Sequence, residues 1–139
     1  MQRAGWILLP LLALSIPGCA GRVRPPSTNV TPRSTRGAHE GLASYYSRGF
    51  EGQPAASGVK FDSTAMVAAH PSYPFGTLVR VTNLKNGRSV RVRIVDRGPA
   101  RGPRDDGVII DLSRAAAEAL DFVREGRTRV RVEVLRWGA

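Results

Sequence analysis

Two alternating runs around Asn86-Gly87 constrain the fold of this chain more than any other feature of its sequence. In the stretch TLVRVTNLKNGRSVRVRIVD one predicted face carries aliphatic residues and the other carries arginine: Val79, Val81, Val90, Val92 and Ile94 against Arg80, Arg91 and Arg93. A period of two predicts a pair of antiparallel strands, each with one buried face. Asn-Gly is the dipeptide favoured in a two-residue type I′ turn, so we expect a β-hairpin with that turn.

The rest of the chain adds short strands and little helix. LASYYS, TAMVAAH, GVIID and TRVRVEVLRW are the other strand candidates, and SRAAAEALDF is predicted to be helical with Ser113 as its N-cap. This gives about six strands and one short helix after residue 40. A sheet of that size closes into a small barrel or packs as a sandwich, and the pattern alone leaves both open.

The N-terminus has the layout of an export signal. Met1–Gly18 carries one cation and then an apolar run that Pro10 and Pro17 interrupt, too short to span a bilayer. The single cysteine, Cys19, follows directly, and the segment I-P-G-C resembles a bacterial lipobox. We predict that Cys19 is lipidated, since multiple acyl chains give stable membrane anchoring. An ordinary cleaved signal with a spare thiol nearby is the alternative.

Composition divides the remainder into a tether and a domain. Ala20–Glu40 is rich in Pro, Ser, Thr and Arg and poor in apolar residues, so we interpret residues 19–40 as the lipidated cysteine and a flexible tether, with no role for His39. Residues 41–137 then form the folded domain. The formal charge of +10 comes from cations dispersed along the strands, which favours an anionic cell-envelope polymer over nucleic acid as the partner. Solvated surface charge explains much of the same excess.

Asp96 is the strongest candidate for chemistry. The predicted hairpin carries it to the end of a strand, and Gly98-Pro99 then turns the chain away. A partly desolvated carboxyl at a barrel rim is suited to act as a general acid. A turn-forming aspartate that bonds the backbone N–H groups just ahead of it explains the same pattern equally well.

Other polar residues carry weaker signals. His70 ends an apolar strand before Pro71, where a histidine satisfied by core hydrogen bonds is the common case. Asp111, just before the helix, is predicted to be a capping or network residue. Ser57 and Ser113 lack the surroundings of a serine nucleophile, and no metal-ligand spacing is present, so neither a metal nor a cofactor is expected.

Taken in order, four motifs resemble the rare lipoprotein A (RlpA-like) family. They are GLASYYS, ASGVKFD, MVAAHPSYPFGTLVRVTNLKNGRSVRVRIVDRGP and VIIDLSRAAAEAL, and the resemblance covers residues 41–135. It implies a mainly-β fold, the six-stranded double-psi β-barrel that expansins share. It also implies lytic transglycosylation of peptidoglycan, the cleavage between N-acetylmuramic acid and N-acetylglucosamine that leaves 1,6-anhydro ends.

The resemblance assigns roles to individual residues. The aspartate of D-R-G-P, Asp96, is implied to be the general acid, and the histidine of A-A-H, His70, its active-site partner across one groove. Around them we expect contacts to the glycan from four further residues: Tyr45, Ser57, Arg97 and Asp111.

One departure bears on catalysis: Val59 stands where the family commonly has an active-site glutamate. Because the attacking C6 hydroxyl belongs to the substrate, positioning supplies part of what a second carboxylate would provide, and one acid suffices. We therefore expect weak activity that Val59→Glu raises near neutral pH. The alternative is a non-catalytic barrel that binds peptidoglycan. In either case we expect a monomeric envelope lipoprotein, held in the outer membrane and facing the periplasm because Ala20 follows Cys19.

Overall fold

The computed structural model describes residues 37–139, whose strands form a closed six-stranded barrel. The strands are β1 (Ala38–Tyr45), β2 (Val67–Ala69), β3 (Leu78–Asn83), β4 (Ser89–Asp96), β5 (Val108–Leu112) and β6 (Thr128–Arg136). Their order around the barrel is β1-β5-β2-β4-β3-β6, and β6 pairs back with β1. The barrel prediction is confirmed and the sandwich is excluded. The predicted signal peptide, Cys19 and the tether up to residue 36 lie outside the described residues.

The hairpin is confirmed, but its predicted turn type is wrong. β3 and β4 pair antiparallel with Val79 opposite Val92 and Val81 opposite Val90. Asn83 N–H donates to the Arg88 carbonyl, so the loop has four residues, 84–87, and only Gly87 in it has a positive φ, of 77°. A type I′ turn needs positive φ at both central residues. The side-chain amide of Asn86 instead donates to the Leu120 carbonyl at 2.9 Å, which holds the loop against another part of the chain.

Two α-helices lie in the connections between strands, where the sequence predicted one. α2 (Arg114–Ala119) is the predicted helix, and Ser113 caps it by accepting a hydrogen bond from Ala116 N–H. α1 (Arg101–Asp105) is the additional helix, in a segment rich in Gly, Pro and Arg. Pro103 is tolerated there because the first turn of a helix needs no donor at that position. A 3₁₀ turn at Arg48–Phe50 is the third helical element within residues 37–139.

The first strand begins before the predicted domain boundary at residue 41. Ala38, His39 and Glu40 pair with Glu133, Val132 and Arg131 of β6. A strand held by backbone hydrogen bonds on a barrel surface does not need apolar side chains, which is why composition placed these residues in the tether. Glu40 also forms an ion pair with Arg131 at 2.8 Å. The first strand of the barrel therefore starts at Ala38.

Aliphatic side chains from every strand fill the barrel. Fully buried examples are Ala43 of β1, Ala68 of β2, Val79 and Val81 of β3, Val92 and Ile94 of β4, Ile110 and Leu112 of β5, and Val130 and Val132 of β6. Leu120 and Phe122, after α2, close one side of this core. Within residues 37–139 no helix is long and apolar enough to cross a membrane.

Candidate active site

A cavity of about 600 Å³ opens where β1, β4 and β5 end. Its volume lies within the range of small-molecule and cofactor sites. Polar side chains of Ser44, Tyr46, Asp96 and Asp111 line it together with the Gly98–Ala100 turn and the arginines 97, 104 and 127. Four of the predicted site residues thus line one cavity: Tyr45, Asp96, Arg97 and Asp111.

A register shift brings those two aspartates together. β2 pairs with β4 in parallel, Ala68 opposite Ile94 and Ala69 opposite Asp96, so that Val95 is an extra residue in the ladder. On its other side Ala69 pairs with Asp111 of β5. Asp96 and Asp111 therefore flank the same residue two strand spacings apart, about 10 Å between Cα atoms from the usual ~4.8 Å spacing. Bulges of this kind commonly re-aim a side chain beside an active site.

Three donors hold the Asp96 carboxyl group. Oδ1 accepts from the backbone N–H groups of Ala56 and Arg97, each at 2.8 Å. Oδ2 accepts from the Tyr46 hydroxyl at 2.7 Å. The bond from Arg97 N–H is the one that the turn-forming interpretation predicted. The Ala56 bond fastens the loop of the ASGVKFD motif to the site.

Tyr46 is a site residue that sequence reasoning missed. Burial, and then its hydrogen bond to Asp96, raise the pKa of the Tyr46 phenol, so this group stays a donor. Its ring packs against Phe50 and Phe61 at centroid distances of 5.2 and 4.3 Å. The available signal was strand alternation: Ala43 is in the core, which puts Tyr45 on the same face and Tyr46 on the other.

Asp111 has a partner of its own. The Ser44 hydroxyl, also missed from the sequence, donates a hydrogen bond to Asp111 Oδ1. Burial raises the pKa of the Asp111 carboxyl above its ordinary value; the Ser44 bond and the charge of Arg127 oppose this, and the charge of Asp96 adds to it. A Cβ atom on Gly98 would lie 3.6 Å from Asp111 Oδ2, so the turn after Asp96 closes over this carboxyl group.

His70 lies beside this cavity, in a second recess of about 390 Å³ that shares Pro71 and Arg104 with the first. Its Nδ1 accepts from the N–H groups of Ser72 and Tyr73 at 3.2 and 3.0 Å, and its ring stacks on Tyr73 at 3.6 Å. Burial, then the nearby charges of His39 and Arg97, lower the pKa of His70 to about 4. The ring is therefore neutral near pH 7, with its proton on Nε2.

Asp96 and His70 are neighbours at the ends of adjacent strands. The His70 N–H donates to the Asp96 carbonyl at 3.2 Å, while the two side chains line adjoining cavities. That they act on one glycosidic bond stays a prediction.

The guanidinium of Arg97 turns toward the segment after His70. It donates to the Tyr73 carbonyl at 2.8 Å and lies 3.9 Å over the Phe75 ring. Arg97 therefore braces this segment, and only its backbone N–H bonds the Asp96 carboxylate.

The other predicted glycan contacts differ in how well they reach the cavity. Tyr45 forms part of its wall, but the hydroxyl donates to the Val123 carbonyl at 3.0 Å and the ring packs edge-on against Phe122.

Ser57 is not part of the cavity wall: its Oγ is buried and has no partner within residues 37–139. The Ser57 N–H bonds the Val95 carbonyl, which holds this loop flat on β4, so Ala56 contacts the site instead. Val59, further along this loop, is 55% exposed.

Comparison with known proteins identifies the family. The family model described as "Lytic transglycolase" matches residues 38–132. A protein of Nostoc sp. named "Probable endolytic peptidoglycan transglycosylase RlpA" is 50% identical over 115 residues, 79% of this chain and 30% of that protein. The "Endolytic peptidoglycan transglycosylase RlpA" of Neisseria meningitidis serogroup A is 47% identical over 93 residues, 67% of this chain and 37% of that protein.

A solved structure shows the same fold. The crystal structure of a Clavibacter michiganensis expansin superposes with a TM-score of 0.56 at 26% identity, over 74% of this chain and 52% of the expansin. The chain spans only about a third of the length of the curated relatives given above. This chain therefore belongs to the lytic transglycolase family of RlpA-like double-psi β-barrel proteins, as the family match, the barrel and the order of the motifs all indicate.

Proposed function

We propose that this chain is an endolytic peptidoglycan lytic transglycosylase, which cleaves the bond between N-acetylmuramic acid and N-acetylglucosamine and leaves 1,6-anhydro ends. The observation that carries the proposal is the pair of carboxyl groups, Asp96 and Asp111, in the wall of one cavity. The names of the relatives support the same reaction.

The reaction needs two proton transfers and no external nucleophile. One group protonates the glycosidic oxygen, and another takes the proton of the muramic C6 hydroxyl as it attacks C1. Because that hydroxyl is part of the substrate, the cavity has to align it, and alignment alone is worth several orders of magnitude in rate. Asp96 and Asp111 supply the two carboxyl groups that such transfers use.

His70 contributes as a neutral donor. With Nδ1 engaged by two backbone N–H groups, its Nε2–H is the remaining hydrogen-bonding atom of the ring. A pKa of about 4 leaves His70 uncharged near pH 7. It is suited to orient a sugar hydroxyl or acetamido oxygen in the second recess, and not to store a proton.

The same proposal places the protein in the cell envelope. The partner is the glycan strand of peptidoglycan, and the barrel acts as a monomer tethered through lipidated Cys19 to the outer membrane, facing the periplasm. The net charge of +10 favours an anionic wall polymer in such a location. Replacing Cys19 with Ser and fractionating the cells tests the anchor: the variant leaves the membrane fraction if lipidation holds it there.

Digestion of purified sacculi tests the reaction. We expect wild type to release anhydro-muropeptides detectable by mass spectrometry, and Asp96→Asn to release none above background. Asp105→Asn is the matched control, since Asp105 is an exposed aspartate of α1 outside the cavity wall. Equal release by wild type and Asp96→Asn would exclude this cavity as the site.

A non-catalytic peptidoglycan-binding barrel is the second candidate. The observation in its favour is Val59, an exposed aliphatic side chain in the loop that bonds Asp96. Such a protein sediments with sacculi and releases no anhydro-muropeptides at any pH, which separates it from the enzyme in the same assay.

A further inference from the structure

The two carboxyl groups of the cavity have different hydrogen-bond donors. Asp96 accepts from Tyr46, Ala56 and Arg97 and so has donors at both oxygens. A carboxylate accepts hydrogen bonds at both oxygens and donates none, and the contacts of Asp96 match that form.

Asp111 has one side-chain donor, Ser44, and lies beneath the turn at Gly98. Burial raises the pKa of its carboxyl group, so Asp111 keeps a proton at a higher pH than a solvated aspartate. The nearby charge of Asp96 adds to this effect of burial. The contacts of Asp96 match those of a carboxylate and the burial of Asp111 favours its protonated form, so Asp111 is the carboxyl group of this pair that is suited to donate a proton.

We infer that Asp111 is the general acid of this site and that Asp96 is the proton acceptor, a division that rests on the proposed function. The sequence motif had favoured Asp96 as the acid and Asp111 as a glycan contact. Both residues line the cavity and flank Ala69, so one glycosidic bond can lie between them.

The proposed reaction needs neither water nor a cofactor as a reactant. The bond between muramic C1 and the O4 of N-acetylglucosamine breaks, and O4 keeps the electron pair and takes the proton of Asp111. The muramic O6 forms its bond to C1, and its proton passes to Asp96. Afterwards Asp111 is ionised and Asp96 protonated, and proton exchange through solvent in the open cavity restores the starting pair.

This assignment of the two carboxyl groups also explains why the site can have Val59 in place of a glutamate. The site already holds one acid and one acceptor, on β5 and at the end of β4, so a glutamate at position 59 is not needed to complete the pair. Val59 lies outside the cavity wall.

Leaving-group chemistry tests the assignment. We would measure wild type, Asp111→Asn and Asp96→Asn on sacculi and on a 4-nitrophenyl glycoside of an N-acetylglucosamine–N-acetylmuramic acid disaccharide. Nitrophenolate departs without taking up a proton. On the aryl glycoside the general acid is therefore dispensable, whereas the proton acceptor is still needed. We expect Asp111→Asn to lose at least about 100-fold on sacculi, the usual worth of general acid catalysis, and to stay within about threefold of wild type on the aryl glycoside. Asp96→Asn loses activity on both.

Three other results overturn the inference. Asp111→Asn equal to wild type on sacculi removes Asp111 from the chemistry, and equal losses on both substrates make it a positioning residue only. Aryl activity spared in Asp96→Asn but lost in Asp111→Asn reverses the roles. A wild type inactive on both substrates instead contradicts the proposed function itself.

A second variant guards against misfolding. Asp111→Ala is assayed on sacculi in an acidic buffer with added formic acid: this small acid, entering the vacated space, restores activity if Asp111 donates a proton, and has no effect if its role is structural. Thermal melts of every variant accompany the assays.

Discussion

The β3–β4–β6 face and the cavity end of the barrel are built in different ways. On the first, antiparallel strands present valines inward, and Val79, Val81 and Val132 are essentially fully buried. At the second, parallel pairs and loops position the half-buried polar side chains of the cavity. Both buried side-chain polar atoms without a partner in residues 37–139, Ser57 Oγ and Tyr73 Oη, lie on loops at this end.

The difference assigns stability to one region and chemistry to the other. Burying apolar side chains stabilises the fold, whereas an unpaired buried hydroxyl or a buried carboxyl group costs free energy. Substitutions on the valine face are therefore expected to change the free energy of unfolding and spare activity per folded molecule. Substitutions at the cavity end are expected to lower activity without lowering the free energy of unfolding.

Val81→Ala should have the largest effect on stability. Val81 is fully buried, and removing two methyl groups and leaving a cavity should lower the free energy of unfolding by about 2–3 kcal/mol. Urea denaturation measures the loss, with exposed Val59→Ala as the control. A large loss of specific activity in the folded fraction would contradict the claim that the valine face affects stability and not activity.

Asp111→Asn should instead raise the melting temperature at pH 7. Because burial raises the folded-state pKa of Asp111, the unfolded chain releases this proton at lower pH, and the wild type loses stability as pH rises from the unfolded to the folded pKa. The variant should melt at a higher temperature than wild type at pH 7, and the gap should close once pH falls below the ordinary aspartate range. A variant that melts lower at pH 7 contradicts the claim that burial of this carboxyl group is costly.

The hairpin and the site differ in how much the sequence alone could predict. Alternation at Val79–Val92 is a local pattern, and it predicted the strands and their buried face. The motif around Asp96 predicted one carboxyl group, but not Tyr46 and Ser44 as hydrogen-bond donors in the site, because their contacts join residues 50 and 67 positions apart. The extra residue at Val95 and the anchoring of Asn86 on Leu120 depend on neighbours from other strands and loops, so no local pattern encodes them.

Tyr46→Phe sharpens the comparison at the cavity end. It removes the hydroxyl that bonds Asp96 and keeps the ring contacts with Phe50 and Phe61. A lost hydrogen bond to a charged group corresponds to roughly a tenfold drop in the rate of anhydro-muropeptide release. The melting temperature should change little. Tyr45→Phe, which removes the hydroxyl bonded to Val123, is the matched control with near-normal activity.

Val59→Glu should have the smallest effect. The side chain is exposed, so a carboxylate there acts on Asp96 through solvent, and we expect a rise of less than about threefold near neutral pH. Rates of wild type and variant from pH 5 to 8 check this. A tenfold rise would show that the loop enters the cavity during the reaction.

Cleavage of sacculi in water enriched in oxygen-18 tests the central claim most directly. If the cavity uses the muramic C6 hydroxyl as nucleophile, wild type releases 1,6-anhydro ends that contain no oxygen-18, and Asp96→Asn releases none. Reducing ends that carry one oxygen-18 atom would show that water is the nucleophile, and would contradict the account.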